Sequence, residues 1–319
     1  MNVKLYIRNG DYLYEPATLE GITWITCRNS SPGELSFEVL QDDILKIEEG
    51  NAVQLIVDGV GVFSGFLFEL ERDKDQVMKC KAYDQLRYLK NKDTYCYVGK
   101  RASDLVRMIA ADFQLQIGEI EDTGYIIPLR TESNQTLFDI IQNALDLTLM
   151  NQNTLYVLYD DFGRLALKNI DNMKLKLLLT EKTAENFTYT SSIDSDVYNQ
   201  VKLTFDNEKT GKRDVYLTKD SSNIEKWGVL QYYDTLKEGE NGKAKADALL
   251  GFYNKKQKRL KVKGVFGDVR VRAGCSIGVQ LDLIDVQVKN YMMCDKVTHT
   301  FQNQEHTMEL TLIGGDFSA

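Results

Sequence analysis

At 319 residues the chain exceeds the roughly 250–300 at which a single hydrophobic core stops growing, so two to three domains are expected. Hydrophobic residues make up 43% and charged residues 27%, with only 3 prolines, which excludes a long disordered segment. A net charge of −8 argues against specific nucleic-acid binding, and no stretch approaches the ~20 apolar residues of a membrane span.

The first ninety residues read as β-structure. Val3-Lys4-Leu5-Tyr6-Ile7 alternates apolar and polar residues before a turn at Asn9-Gly10-Asp11, a hairpin signal. Alternation continues in Ile22 to Thr26, Glu34 to Val39, Ala52 to Val57, Val62 to Leu70 and Gln76 to Tyr83, with turns at Ser31-Pro32-Gly33, Asp58-Gly59 and Asp73-Lys74-Asp75. Six short strands at this spacing predict a barrel or sandwich. The period then changes. Leu105, Met108, Ile109 and Phe113 mark one helix face, with Ser103 or Asp104 as the expected N-cap. Leu137, Ile140, Ile141, Ala144 and Leu145 mark a second, opened by Thr136-x-x-Asp139. Leu155 to Tyr159 and Arg164 to Lys168 then form a hairpin around Asp160-Asp161-Phe162-Gly163.

β-structure returns near Asn186, with strands at Asn199 to Phe205 and Lys212 to Leu217. A polar stretch, Glu238-Gly239-Glu240-Asn241-Gly242, leads into a helix expected over Lys243 to Lys256. Lys255, Lys256, Lys258 and Arg259 sit where the helix dipole favours cations. From Leu260 to Ile313 the pattern is again strand after strand. The resulting expectation is an α+β, mainly β chain with two related β-barrel domains. The first covers 1–92, a small α/β domain covers 93–175, and the second barrel covers 176–319 with a helical insertion at about 218–259.

The two β-regions share an order of parts. Glu49-Gly50-x-x-Val53-x-Leu55 opens a strand after a glycine turn, and so does Ala273-Gly274-x-x-Ile277-x-Val279. Each is followed by a turn, a strand entered by an aromatic residue (Phe63, Tyr291) and a closing charged hairpin. Two such units per chain suit pseudo-symmetry, because three chains would then present six similar domains in a ring.

The chain resembles the XkdQ/YqbQ group of tail proteins, the baseplate hubs of contractile phage tails, defective prophages and R-type bacteriocins. The resemblance rests on Gly61-Val62-Phe63-Ser64-Gly65, Ala82-Tyr83-Asp84-Gln85-Leu86-Arg87-Tyr88-Leu89-Lys90-Asn91, Tyr198-Asn199-Gln200-Val201, Val297-Thr298-His299-Thr300-Phe301 and His306-Thr307-Met308-Glu309-Leu310. It implies a homotrimeric hub that adapts a sixfold tail tube to a threefold central spike. The implied partners are the spike, a tail-tube or LysM-bearing tail protein and baseplate wedge proteins. The particle would be assembled in the bacterial cytoplasm.

Candidate chemistry is sparse. Five cysteines, Cys27, Cys80, Cys96, Cys275 and Cys294, are scattered without a CxxC and read as reduced core thiols. His299 and His306 would need Asp295 or Glu305 to hold a metal, and they read instead as polar surface of a hairpin. A Cys294–His299 nucleophile fails because strand alternation sends the two side chains to opposite faces. Asp42-Asp43, Glu48-Glu49 and Asp160-Asp161 read as turn residues. The expectation is therefore no catalytic, cofactor or metal site. A tail-associated cell-wall-degrading enzyme or a carbohydrate-binding adhesin is the alternative. Aromatic residues in connecting stretches (Tyr12, Tyr14, Tyr95, Tyr97, Trp227, Tyr232, Tyr233) are the interface candidates, with Trp227, Tyr232 and Tyr233 foremost.

Overall fold

The computed structural model describes residues 1–314 apart from 20, 75, 195, 208–210, 237–240 and 283–286. Asp75 of the expected turn and residues 238–240 of the glycine-bearing stretch lie outside the described residues. The chain divides into two compact units, Met1–Thr188 with Leu260–Leu312, and Tyr189–Arg259 with Ile313 and Gly314.

In chain order the larger unit begins with β1 (Val3–Asn9), β2 (Tyr12–Tyr14), β3 (Ile22–Cys27), β4 (Glu34–Leu40), β5 (Ala52–Val57), β6 (Val60–Arg72) and β7 (Val77–Tyr83). Alternation carries through to burial: Leu5, Ile7, Val53, Leu55, Val57, Leu35, Phe37 and Val39 form one core with Trp24 and Phe63. A 3-10 turn, Gln85–Lys90, leads to β8 (Lys92–Lys100), α1 (Ala102–Asp112), β9 (Ile117–Ile120), β10 (Ile127–Thr136), α2 (Leu137–Gln152), β11 (Tyr156–Asp160) and β12 (Leu165–Asn169). Both helices bury their apolar stripes in a second core that includes Leu105, Ile109, Ile140 and Ile141. Thr136 caps α2 as expected, its Oγ1 accepting from the Asp139 N–H at 3.1 Å. The cap of α1 is Arg101 and not Ser103 or Asp104: Ser103 is buried within the first turn, where its backbone N–H donates to Thr123 Oγ1, and Asp104 accepts from the Arg101 N–H.

After β13 (Lys174–Thr180) and β14 (Asn186–Ser192) the chain builds the smaller unit. It comprises β15 (Gln200–Asn207), β16 (Lys212–Lys219), α3 (Ser221–Trp227), β17 (Gln231–Thr235) and α4 (Gly242–Tyr253). α4 covers a three-stranded sheet through Val201, Leu203, Ala246 and Leu249. It ends at Tyr253, three residues before the expected Lys256, because the chain turns at Asn254 into β18 (Gln257–Phe266); Lys258 and Arg259 are therefore strand residues. The larger unit is completed by β19 (Ser276–Asp282), β20 (Gln287–Gln302) and β21 (Glu305–Gly314).

The two β-regions are one hydrogen-bonded sheet, and its order shows the repeat. The first region runs β1-β5-β6-β7-β4-β3 and the second runs β13-β19-β20-β21-β18-β14. Read along the chain, each set is its first, fourth, fifth, sixth, third and second strand. The smaller unit falls between the second and third strands of the second set, where the first set has only a short turn. The match extends to single bonds. Gly50 and Gly274 have φ of 90° and 92°. Gly50 N–H donates to Leu67 O at 2.8 Å and Gly274 N–H to Cys294 O at 2.8 Å. Leu67 N–H returns to Asn51 O at 2.9 Å, as Cys294 N–H does to Cys275 O at 2.8 Å. This register pairs Leu55 with Phe63 and Val279 with Asn290, so the residue equivalent to Phe63 is Asn290 and not the expected Tyr291. One difference remains: β1 meets β5 antiparallel, whereas β13 meets β19 parallel.

Candidate functional site at the joint between the β-regions

β20 is 16 residues long and serves two partners. Its first half pairs with β19, and its second half, from Lys296 to Phe301, pairs antiparallel with β3 from Cys27 to Ile22. The first and second repeats meet along this joint. Val297, His299 and Phe301 share one face of the strand, and all are buried. His299 stacks on Trp24 across the joint, with ring centroids 4.6 Å apart. Its Nε2 lies 2.8 Å from the Val271 carbonyl oxygen, which can only accept, so the proton sits on Nε2. Nδ1 must then accept, and His306 Nε2–H donates to it at 2.8 Å. Burial lowers the His299 pKa to about 3, so the ring is neutral. Burial also lowers His306, with Asp268 opposing the shift.

This corrects the reading of the two histidines as exposed polar surface. The missed signal was parity, since His299 shares the period of Val297 and Phe301. Asp295, one of the third metal ligands considered, pairs with Arg28 at 3.2 Å. Among the described residues no three His, Cys, Asp or Glu side chains gather as a metal site would require. Cys294 lies 3.6 Å from Cys275, and His299 faces His306.

The irregular segment 267–275 ties the joint to the helical part of the larger unit. Gly267 N–H donates to His306 O, Val271 O receives His299, and Ala273 N–H donates to Thr26 Oγ1 at 3.0 Å. Arg272 spreads over the Tyr159 ring at 4.0 Å and donates from an Nη to the Asp160 backbone oxygen at 2.7 Å. Beside it lie two buried carboxylates. Asp84 Oδ2 accepts from Gly33 N–H at 2.8 Å and Oδ1 from Leu86 N–H at 3.0 Å. Asp160 Oδ1 accepts from Gly163 N–H at 2.7 Å, while its Oδ2 is buried without a partner, as is Arg272 Nε. Burial raises both carboxylates, Asp84 with help from the neighbouring Asp160 charge and Asp160 to about 6. Asp160 is thus a turn residue, as expected, and also a member of this internal charge cluster.

Several edges of this sheet are left open among the described residues, β2 and β13 among them, and two bear on the joint. β14 ends the strand order, and β6 pairs with β5 only as far as Phe66, so on that side its residues 68–72 have no strand partner. The corresponding edge of β20 is the one that β3 fills.

The aromatic candidates scatter. Trp227 is half-buried at the end of α3, and Tyr232 packs inward against Tyr198 and Tyr253. Tyr233 is exposed on the other sheet face, its hydroxyl 3.1 Å from Thr204 Oγ1. Tyr12 is exposed in β2. Tyr95 and Tyr97 are not connecting residues, because they are buried on the inner face of β8. Surface depressions occur in both units; one of about 700 Å³ gathers Lys219, Asp220 and Asp247. Another of about 510 Å³ is lined by Met1, Glu15, Pro16, Thr18 and Gln302 among others, with Glu15 its sole ionisable side chain.

The fold is shared with solved structures of tail proteins. The chain can be aligned over 99% of its length with the 43 kDa tail protein of prophage MuSo2 from Shewanella oneidensis, covering 100% of that chain at a TM-score of 0.74 and 12% identity. It covers 98% of itself and 78% of the c3393 protein of E. coli at a TM-score of 0.59 and 10% identity; that protein is a component of the type VI secretion system with structural similarity to the T4 tail proteins gp27 and gp5. In sequence, residues 22–313 match the YQBQ-like family model. The phage-like element PBSX protein XkdQ of Bacillus subtilis is 31% identical over 273 residues, 84% of this chain and 82% of its own. The chain belongs to the YQBQ-like family. No helix among the described residues is long and apolar enough to cross a membrane.

Proposed function

We propose that the chain is a structural, non-enzymatic hub of a contractile-tail or R-type bacteriocin baseplate, working as a homotrimer between a sixfold tail tube and a threefold central spike. The observation that carries this reading is the repeat itself. Within one chain, the second strand of the first repeat (β3) fills the edge left by the fifth strand of the second (β20). The complementary pair, the fifth strand of the first repeat (β6) and the second strand of the second (β14), is left open. If the same joint forms between chains, β14 of one copy seats on β6 of the next. Three copies then close a ring of six repeats, and these two edges are paired, which removes the aggregation hazard they carry.

On this reading residues 1–92 and 176–319 are the two hub domains, barrel-like once their edges are paired in the ring, and 93–175 is the small α/β domain that separates them in sequence. The insertion at about 218–259 presents Tyr233 and the half-buried Trp227 to neighbouring components, with Tyr232 bracing them through its packing on Tyr198 and Tyr253. Spike, tail-tube or LysM-bearing tail protein and baseplate wedge proteins are the partners, assembled in the bacterial cytoplasm. The test is light scattering on the purified chain over a range of concentrations, alone and with its spike. A mass of three chains, alone or on adding spike, is expected. A monomer throughout, with no co-assembly, overturns the reading.

A further inference from the structure

The sulfur atoms of Cys275 and Cys294 are 3.6 Å apart in the core of the second repeat, 2% and 0% exposed. Both thiols are free. The two residues face each other across β19 and β20, one step beyond the Ser276–Met293 pair, and the Cys294 N–H bonds to the Cys275 carbonyl. Gly274 and Cys275 together oppose Cys294 in a glycine bulge, and the sulfurs already face each other at 3.6 Å. Bringing the sulfurs to about 2.05 Å requires side-chain rotation and no change of strand register. The equivalent residues of the first repeat, Asn51 and Leu67, make the same backbone bonds without sulfur, so the local fold does not depend on the pair.

We propose that Cys275 and Cys294 form a dithiol modification site that a low-molecular-weight disulfide such as oxidised glutathione converts to an intrachain disulfide. The Cys275 thiolate attacks one sulfur of the oxidant, giving a mixed disulfide and releasing one thiol. Cys294, losing its proton to solvent, then attacks the Cys275 sulfur, closes the bridge and expels the second thiol. Two protein thiols and one oxidant disulfide thus become one protein disulfide and two small thiols. Cys275 is suited to attack first: contact with Cys294, assisted by Arg272, holds its pKa below the ordinary thiol value against the effect of burial. Cys294 is raised by the same contact and by burial, which suits the resolving role. With the two cysteines 2% and 0% exposed, the oxidant reaches the sulfurs only on local opening of the irregular segment 267–275, whose Arg270 is exposed. The bridge would clamp the end of that segment, which holds Val271 against His299 and Arg272 against Asp160.

The experiment uses the full chain with Cys96, the exposed thiol, replaced (Cys96→Ser). After incubation with oxidised glutathione, thiols are alkylated in denaturant and peptides are mapped by mass spectrometry. The expected result is a Cys275–Cys294 linked peptide, two fewer alkylated thiols and a melting temperature higher by on the order of 5 °C, all reversed by dithiothreitol. In Cys294→Ser the reaction should stop at a glutathione adduct on Cys275. Cys294→Ala serves the same purpose if the serine variant does not fold. Four thiols still alkylated, or a mixed disulfide persisting on Cys275 with Cys294 intact, overturns the proposal.

Discussion

Replacing Asp160 by asparagine should make the protein more stable at neutral pH. Its carboxylate is buried and one oxygen has no close hydrogen-bond partner, and this burial outweighs the Gly163 N–H, the Gln85 side chain and Arg272, which favour the charged form. Burial lifts its pKa from 3.8 to about 6. A folded-state value above the unfolded one means the fold prefers the protonated acid. The stabilising contribution is complete below about pH 3.8 and is lost as pH rises through about 6. At about 1.4 kcal/mol per unit the loss has a ceiling of about 3 kcal/mol at pH 7.5. Asparagine keeps an oxygen for Gly163 N–H and the backbone oxygen for Arg272, and puts a neutral amide where the unpaired oxygen stood. A gain of about 1–2 kcal/mol at pH 7.5 is expected, shrinking towards zero at pH 4, because the new amide also needs partners. Urea denaturation of both proteins at the two pH values measures it. A variant less stable than the parent at pH 7.5 would refute the reasoning, since it would show Asp160 to be favourably paired with Arg272.

Three further outcomes follow from other parts of the fold. His299→Phe keeps the stack on Trp24 but strands the Val271 carbonyl and the His306 N–H, at a cost of about 2–4 kcal/mol at pH 7.5 by denaturant melts. Because the folded pKa of about 3 lies below 6.5, the histidine's contribution is present above pH 6.5 and fades as pH falls, so the gap between the proteins should narrow in acid. Gly274→Ala should cost more than Gly50→Ala in thermal melts: both have positive φ, but a Cβ on Gly274 would lie 2.6 Å from Val157 Cγ1 and one on Gly50 would meet nothing. Thr136→Ala removes the cap of α2 and should lower stability by about 1 kcal/mol in the same assay.

Strand alternation made most of the larger unit legible, because Val53, Leu55 and Val57, like Ile277, Val279 and Leu281, point one way into a core. The glycine pair at 50 and 274 exposed the repeat, since a left-handed turn before a strand leaves a mark that survives when side chains diverge. β8 and β10 were missed: their outer faces mix Thr94, Cys96 and Thr131 with Val98 and Leu129, and their inner tyrosines read as loop aromatics. α3 is seven residues long, too short for periodicity to show. The charge cluster of Asp84, Asp160 and Arg272 draws on positions up to 188 residues apart, and no local pattern announces it.

The central claim is that the β3–β20 joint recurs between chains as β14 on β6. Electron-microscopy averages of the hub, viewed down its axis alone or bound to its spike, test it most directly. Six similar lobes arranged with true threefold symmetry are predicted. A ring of any other number, or lobes whose alternate members bear no resemblance, would contradict it.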